Sequence, residues 1–348
     1  EVRNWLAFRA WGVHPAEPVN AHSSMSLRQF LLLFLAVLGC LSSAPALAGG
    51  TFSFTLDNDL YFGTDREYSN GGLFTYTADE GQAPDFLRDV LAQTVAPDAF
   101  QFRYSLGQLI YTPVDKQATA PVNGERPYVG LLFGQIDAIF EKGTAVHRLS
   151  LVLGMFGPPA IAGEVQNFVH SIRDIPRVEG WDNQIGFEPA LNLNYDVAVP
   201  LRLVRDESFG VELEPYLGLS FGNVSTSARA GFVWRFGPDL EGQPSALSIR
   251  QGHEAPRIFR PKKALRWHIH AGAAGEVEAY STIVDGNVFR SSRSAPGKTL
   301  QWEGRFGIMS SIGRYWLGVG MSAISRRHDF QERTFHRIGE IRFGISLF

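Results

Sequence analysis

Between residues 211 and 221 the odd positions carry Val211, Leu213, Pro215, Leu217, Leu219 and Phe221. The even positions carry Glu212, Glu214, Tyr216, Gly218, Ser220 and Gly222. The same rhythm sets Leu191, Leu193, Tyr195 and Val197 against Asn192, Asn194 and Asp196. Trp302, Phe306 and Ile308 alternate with Glu303, Arg305 and Gly307; Tyr315, Leu317, Val319 and Met321 with Trp316, Gly318, Gly320 and Ser322. In the last segment Ile341, Phe343, Ile345 and Leu347 face Arg342, Gly344 and Ser346. A period of two is that of a β-strand with one apolar and one polar face. Twelve such segments are readable, starting near 51, 71, 102, 128, 146, 186, 209, 223, 264, 300, 314 and 335. The links at 79–100, 157–184, 237–263 and 284–299 are long, and Asp85–Gln93 in the first is a helical candidate.

In a soluble sandwich the apolar face would be the core. In a membrane barrel it would meet lipid, and the polar face would line the lumen. Composition and the leader favour the barrel. The chain has 348 residues with 36 Gly, 26 Phe and a net charge of −3, which excludes a generic nucleic-acid binder. Its one cysteine, Cys40, allows no intrachain disulfide and no cysteine zinc site. An apolar run, Phe30 to Leu41, follows Met25 and Arg28 and leads to Ala46-Leu47-Ala48. That is the form of a secretory signal peptide over 25–48, with 1–24 as an upstream extension. A rival reading takes Val37-Leu38-Gly39-Cys40 as a lipoprotein box. The apolar run is too short to span a bilayer, which takes about 20 apolar residues. The chain ends on an aromatic, Phe348, as outer-membrane barrels do, though out of phase with Leu347. The expected fold is therefore all-β: a transmembrane antiparallel up-and-down barrel over 49–348. Twelve strands enclose a narrow lumen that side chains fill, which suits an enzyme or a plugged barrel better than a wide pore.

Four polar motifs could carry chemistry. Asp57-Asn58-Asp59, followed by Thr64 through Gly71, offers oxygens for a hard cation, or is a polar hairpin turn. Glu164, Asn167 and His170 recur every three residues, as on one face of a helical turn. There His170 is a general base or a solvated surface histidine. Gly124 through Gly130 reads as a turn with Arg126 contacting the lumen. In Gly180-Trp181-Asp182-Asn183-Gln184, Trp181 is expected at the membrane interface. His268 and His270 point the same way on one strand, as lumen lining or a metal pair. No Gly-x-Ser-x-Gly elbow, His-Glu-x-x-His or phosphate loop occurs.

Together these segments resemble the lipid A 3′-O-deacylase (LpxR) family of Gram-negative outer membranes. The resemblance runs over nearly all of 49–348. Its carriers are Asn58-Asp59, Thr64-Asp65-Arg66, Tyr68 through Gly71, Tyr111-Thr112-Pro113, Arg126 through Gly130, Gly163 through His170, Gly180 through Gln184, and Asp285-Gly286-Asn287-Val288-Phe289. It implies an outer-membrane esterase that removes the 3′-linked acyloxyacyl group of lipid A with Ca²⁺, acting between strands near the outer leaflet. It further implies that Asp59 helps hold the cation, that His170 activates water, and that Asn58 and Ser69 complete the catalytic set. Lys116 and Arg126 are the expected substrate-binding residues, and a monomer is expected. The chain departs from the family in three ways. Ser69 stands for a Thr. Pro176 and Val178 stand where a Glu and a Tyr follow the His, with Glu179 reaching there only by a shifted loop. Lys116 lacks a second basic neighbour. Rival readings are a non-catalytic or channel-type barrel, a hydrolase of another membrane lipid working through Ser69 and His170, and a soluble periplasmic β protein. Arg257, Arg260, Lys262 and Lys263 are either contacts for lipid phosphates or solvated loop charges.

Overall fold

A computed structural model describes residues 49–63, 67–206, 209–245, 255–331 and 333–347. The expected leader, Cys40, the Thr64-Asp65-Arg66 triplet and Phe348 lie outside the described residues. The strands are β1 (Thr51–Asn58), β2 (Glu67–Thr77), β3 (Ala99–Thr112), β4 (Val129–Lys142), β5 (Ala145–Phe156), β6 (Glu188–Ala198) and β7 (Leu201–Arg205). They continue as β8 (Gly210–Gly222), β9 (Ser225–Gly237), β10 (Arg266–Ser281), β11 (Leu300–Ile312), β12 (Tyr315–Ser325) and β13 (Phe335–Ser346). Every pairing between these strands is antiparallel. The order runs from β6 back through β1, across to β13 and on to β8, and β6 then pairs with β8 to close the ring. β7 is not an additional stave. It carries on the β8 register that β6 leaves at Ala198↔Tyr216, resuming at Leu201↔Leu213. Pro200 stands between them, and a proline cannot donate to the ladder. The result is the expected closed barrel of twelve staves.

The side-chain pattern is inside out, which settles the choice between core and lipid for the apolar face. On β6, Asn192, Asn194 and Asp196 are at most 1% exposed, while Leu191, Leu193 and Tyr195 are 55%, 47% and 39% exposed. Leu149, Leu151 and Leu153 on β5, and Trp302, Phe306 and Ile308 on β11, repeat the arrangement. The lumen is packed with paired charge: Arg148 with Asp196 (3.0 Å), Arg103 with Asp137 (2.8 Å) and Arg305 with Glu303 (2.6 Å). Buried ions need such partners, because an unpaired charge in a low-dielectric interior is costly.

The two rims differ. One carries both strand ends β1 and β13, the short hairpins at 143–144 and 313–314, and two long links. The first link holds α1 (Asp85–Thr94), the helix expected over 85–93. The second link, after β9, folds back into the lumen. There Phe259 packs on Trp316, and Ile258 on Ile139 and Val146. The other rim holds the links after β1, β3, β5, β8, β10 and β12, including α2 (Ala162–Ile172). Its mouth is filled by Tyr68, Tyr111, Val129, Ile283, Val284 and Ile338.

Candidate functional site

At the α2 rim, β1 ends at Asn58 in extended conformation, and the chain turns at once into a 3₁₀ turn, Asp59–Phe62. Asn58 caps that turn, its Oδ1 accepting from the Leu60 N–H at 2.7 Å. Gly63 closes it at φ 68°, a left-handed conformation that suits glycine. Asp59 is fully buried, with Oδ2 3.9 Å from His336 Nε2; the same nitrogen donates to the Tyr68 carbonyl at 3.1 Å. A bulge between Tyr68 and Asn70 leaves Ser69 as the extra residue of β2. Tyr68 turns into the lumen, where its ring lies 5.1 Å from that of Tyr111. Ser69 instead bonds the Thr112 hydroxyl at 2.7 Å. Thr112 and Ile110 are two apart on β3 and so share its outer face.

That outer face is where α2 docks. Ile110 and Tyr128 pack with Ala162, Val178 and Trp181. Gly130 on β4 permits the approach, since a Cβ there would stand 2.5 Å from that of Ala162. Ala162, Gly163, Gln166 and His170 form the buried stripe of the helix, at the spacing expected for one helical face. Trp181 Nε1 donates to Gln166 Oε1 at 2.8 Å. His170 is 3% exposed, and its Nδ1 lies 2.7 Å from the Pro176 carbonyl oxygen. A carbonyl only accepts, so Nδ1 carries the proton, and in the neutral ring Nε2 is the acceptor nitrogen. The loop after α2 is fixed by Asn167, which accepts from the Val178 N–H (2.8 Å) and donates to its carbonyl (3.2 Å). It is also stitched to the Lys116 segment. Glu179 N–H donates to the Lys116 carbonyl (3.2 Å), and Gln117 Nε2 to that of Arg177 (3.0 Å).

The expected residues thus fall into two groups. Asn58, Asp59 and Ser69 lie on the β1–β2 turn and its bulge, and Ser69 touches the end of β3. His170 lies on the helix laid against β3 and β4, with the half-buried Lys116 four residues beyond Thr112. Glu164 does not join them and is exposed. A step of three residues falls about 60° short of a full turn, so two steps carry it off the face of His170. Arg126 is also turned elsewhere. It is 1% exposed, bonded to Glu67 (3.2 Å) and the Ile283 carbonyl (2.7 Å), and 4.7 Å above the Tyr111 ring. Burial lowers its pKa while Glu67 opposes the shift. Arg126 therefore makes the lumen contact that its motif suggested.

Trp181 is buried, 5.0 Å from the Tyr128 ring, instead of sitting at the membrane interface. Arg257, Arg260 and Lys262 are on the opposite rim and engaged. Arg257 is clamped by Glu212 and Glu214, Arg260 binds Glu80 (2.6 Å) and Glu141 (3.0 Å), and Lys262 binds Asp239 (2.7 Å). Lys263 is on that rim too, its carbonyl accepting from Gly313. Burial works to lower the Arg257 pKa, but Glu214 and Glu212 outweigh it and hold it above the ordinary value. His268 bonds Gln243 (2.5 Å) and Arg235 (2.9 Å), as lumen lining does. Among the described residues no three His, Cys, Asp or Glu gather as a metal cluster. The donors at Asn58 and Asp59 are hard oxygens, which suit Ca²⁺ over a softer ion. One carboxylate would need neutral oxygens and water to complete the shell. Sequence reasoning missed Gln166, His336 and the Pro176 carbonyl; none carries a local signal, since each acts through the folded neighbourhood.

A family model described as Outer membrane protein LpxR matches residues 31–347. LpxR from Salmonella typhimurium superposes with a TM-score of 0.68 at 18% identity, covering 86% of this chain and 99% of that one. The β domain of the Bordetella autotransporter Brka gives a TM-score of 0.44 at 11% identity, covering 86% of this chain and 100% of that one. The translocator domain of NalP from Neisseria meningitidis gives 0.39 at 7% identity, covering 92% and 96%. At these identities the likeness is one of fold. No curated protein matches the sequence significantly.

Proposed function

The chain belongs to the LpxR family of outer membrane proteins, and from that premise we propose that it is an esterase removing the 3′-linked acyloxyacyl group of lipid A. It resides in the bacterial outer membrane, with its apolar outer face toward lipid. The observation that carries the reading is the buried His170, held with Nε2 as the basic nitrogen on a helix that covers the outer face of the barrel. A lipid substrate reaches that face laterally, without crossing the lumen.

In this reading His170 Nε2 takes a proton from water as the water oxygen bonds to the ester carbonyl carbon. The ester C–O bond then breaks. The proton passes from His170 to the departing 3′ oxygen, leaving a free acid and a 3′-hydroxyl. Asn58, whose Oδ1 is taken by Leu60, offers Nδ2 to the developing oxyanion. Ser69 and Thr112 hold each other and shape the wall beside the turn. Asp59 would help hold Ca²⁺, which when bound would polarise an ester carbonyl. Lys116 supplies a cation for a lipid phosphate. Pro176 stands where the family resemblance places a Glu, and its backbone oxygen takes up the orienting bond to Nδ1.

The test is mass spectrometry of lipid A from cells expressing the wild type, His170→Ala and Asp59→Ala, with and without a calcium chelator. Loss of the 3′-linked acyloxyacyl mass only with the intact chain and calcium supports the reading. Unchanged lipid A from a folded wild-type barrel overturns it.

A further inference from the structure

The link between β10 and β11 contains the Asp285-Gly286-Asn287-Val288-Phe289 motif, which the proposed chemistry leaves without a role. Its course is unusual. Val284 is fully buried in the mouth of the lumen, and Ala295 N–H bonds back to its carbonyl. Between these anchors the chain crosses the end of β6. There Glu188, 1% exposed, spends both carboxylate oxygens on it: Oε1 accepts from the Val288 N–H (3.2 Å) and Oε2 from the Phe289 N–H (3.0 Å). Asn223 Nδ2 holds Oε1 in place at 2.8 Å, and Asn287 Nδ2 donates to the Gly186 carbonyl at 3.1 Å. A buried carboxylate bonded to successive backbone amides fixes a loop in one conformation.

What this clamp presents is apolar. Phe289 is 76% exposed, Val288 49%, and the neighbouring Phe187 50%. Phe187 is in phase with Pro189, Leu191 and Leu193, the outward positions of β6, all exposed. The patch is therefore the upper end of the stripe that this outer-membrane barrel turns to lipid. A rigidly held, exposed phenylalanine is unfavourable in water and favourable among hydrocarbon chains. Arg290 donates to the Phe187 carbonyl at 3.4 Å and so sets a cation beside the apolar patch, as suits the headgroup level.

We propose that Val288 and Phe289 form a wedge inserted among the acyl chains of the outer leaflet, held over the rim by Glu188. Its occupant is the lipid bilayer itself. The inference stands independently of the esterase reading.

Cys40 is the chain's one cysteine, so a single-label test is clean. The full chain with Cys40→Ser and Phe289→Cys is labelled with a nitrobenzoxadiazole fluorophore. It is placed in vesicles of dioleoylphosphatidylcholine, plain or with both oleoyl chains dibrominated. A label at Ala120→Cys, on an exposed loop, serves as the aqueous reference. Heat-modifiable gel mobility verifies the barrel in each sample. The expected result is blue-shifted emission at position 289, with loss of emission in the brominated vesicles and little loss to aqueous iodide. With Glu188→Gln added, which removes one of the two acceptor oxygens, the bromine quenching should weaken. Emission insensitive to bromine, and quenched by iodide as freely as at position 120, overturns the wedge. Bromine quenching unaffected by Glu188→Gln overturns the clamp.

Discussion

The two mouths of this barrel are closed by different means. At the rim bearing the strand ends, a long link enters the lumen with Arg257 clamped between Glu212 and Glu214 beside the apolar contacts of Ile258 and Phe259, and Arg260 bridges Glu80 and Glu141. At the other rim the mouth is filled mainly by apolar packing of Tyr68, Tyr111, Ile283 and Val284. The chain there sends its helix α2 outward, onto the lipid-facing wall. The contrast assigns roles. One end is a seal, whose charges are satisfied within the protein. The other places a buried histidine and a hydroxyl pair on the side from which a lipid can approach. A barrel whose lumen is filled at both ends is poorly suited to conduct, which weighs against the channel reading.

The comparison breaks most sharply at His170. Replacing it by Ala should reduce lipid A deacylation by about 10²–10⁴-fold, the usual contribution of a general base, with heat-modifiable mobility unchanged. Activity that survives in a folded His170→Ala barrel would place the chemistry away from α2. The converse change is Arg257→Ala. It leaves Glu212 and Glu214 buried without their shared cation and should cost about 3–5 kcal/mol of stability in denaturant titration. Deacylation per folded molecule should stay at the wild-type rate. A fall in that rate would show that the seal and the site are coupled.

The barrel was largely legible in the sequence because strand periodicity is local: the observed strand starts lie within a few residues of the expected ones. The missed break at Pro200 and the continuation β7 are local too, but a short pattern interrupted by a proline reads as a loop end. The site was legible only by residue type. Asn58, Asp59, Ser69 and His170 stand out as polar residues in short motifs, but which of them meet depends on β2 pairing with β3 and on α2 crossing β3 and β4. Arg126 and Trp181 show the cost of that gap. Each sits in a motif at the correct rim, and each turns into the protein, because a residue's facing is decided by contacts far away in sequence: Ile283 for Arg126, and Gln166 for Trp181. The two readings of the basic residues 257–263 stayed open in the sequence for a simpler reason. Strand parity puts the link after β9 on the opposite rim, and only a complete strand count reveals it.

A smaller effect is expected at Asn167. Its side chain brackets Val178 and so fixes the loop that brings the Pro176 carbonyl to His170. Asn167→Ala should loosen the imidazole without removing it. A loss of up to about 10²-fold in kcat is expected, with KM little changed, as for misplacement of a catalytic group. An equal loss for Asn167→Ala and His170→Ala would argue that the helix itself had unfolded, which proteolysis of α2 would reveal.

The smallest change is expected at Ser69, and it separates two chemistries at the same rim. The Ser69 hydroxyl is 2.7 Å from that of Thr112 and buried, and their bond ties the bulge of β2 to the end of β3. Ser69→Ala removes one such bond, worth about 1 kcal/mol, and leaves the Thr112 hydroxyl to find another partner. If water is the nucleophile, deacylation persists near the wild-type rate with a slightly less stable barrel. If Ser69 were the nucleophile, turnover would vanish as completely as in His170→Ala, and an acyl-enzyme adduct would be seen on the wild-type chain by mass. The hydroxyl pair favours the first outcome, because the Ser69 hydroxyl is already engaged with that of Thr112.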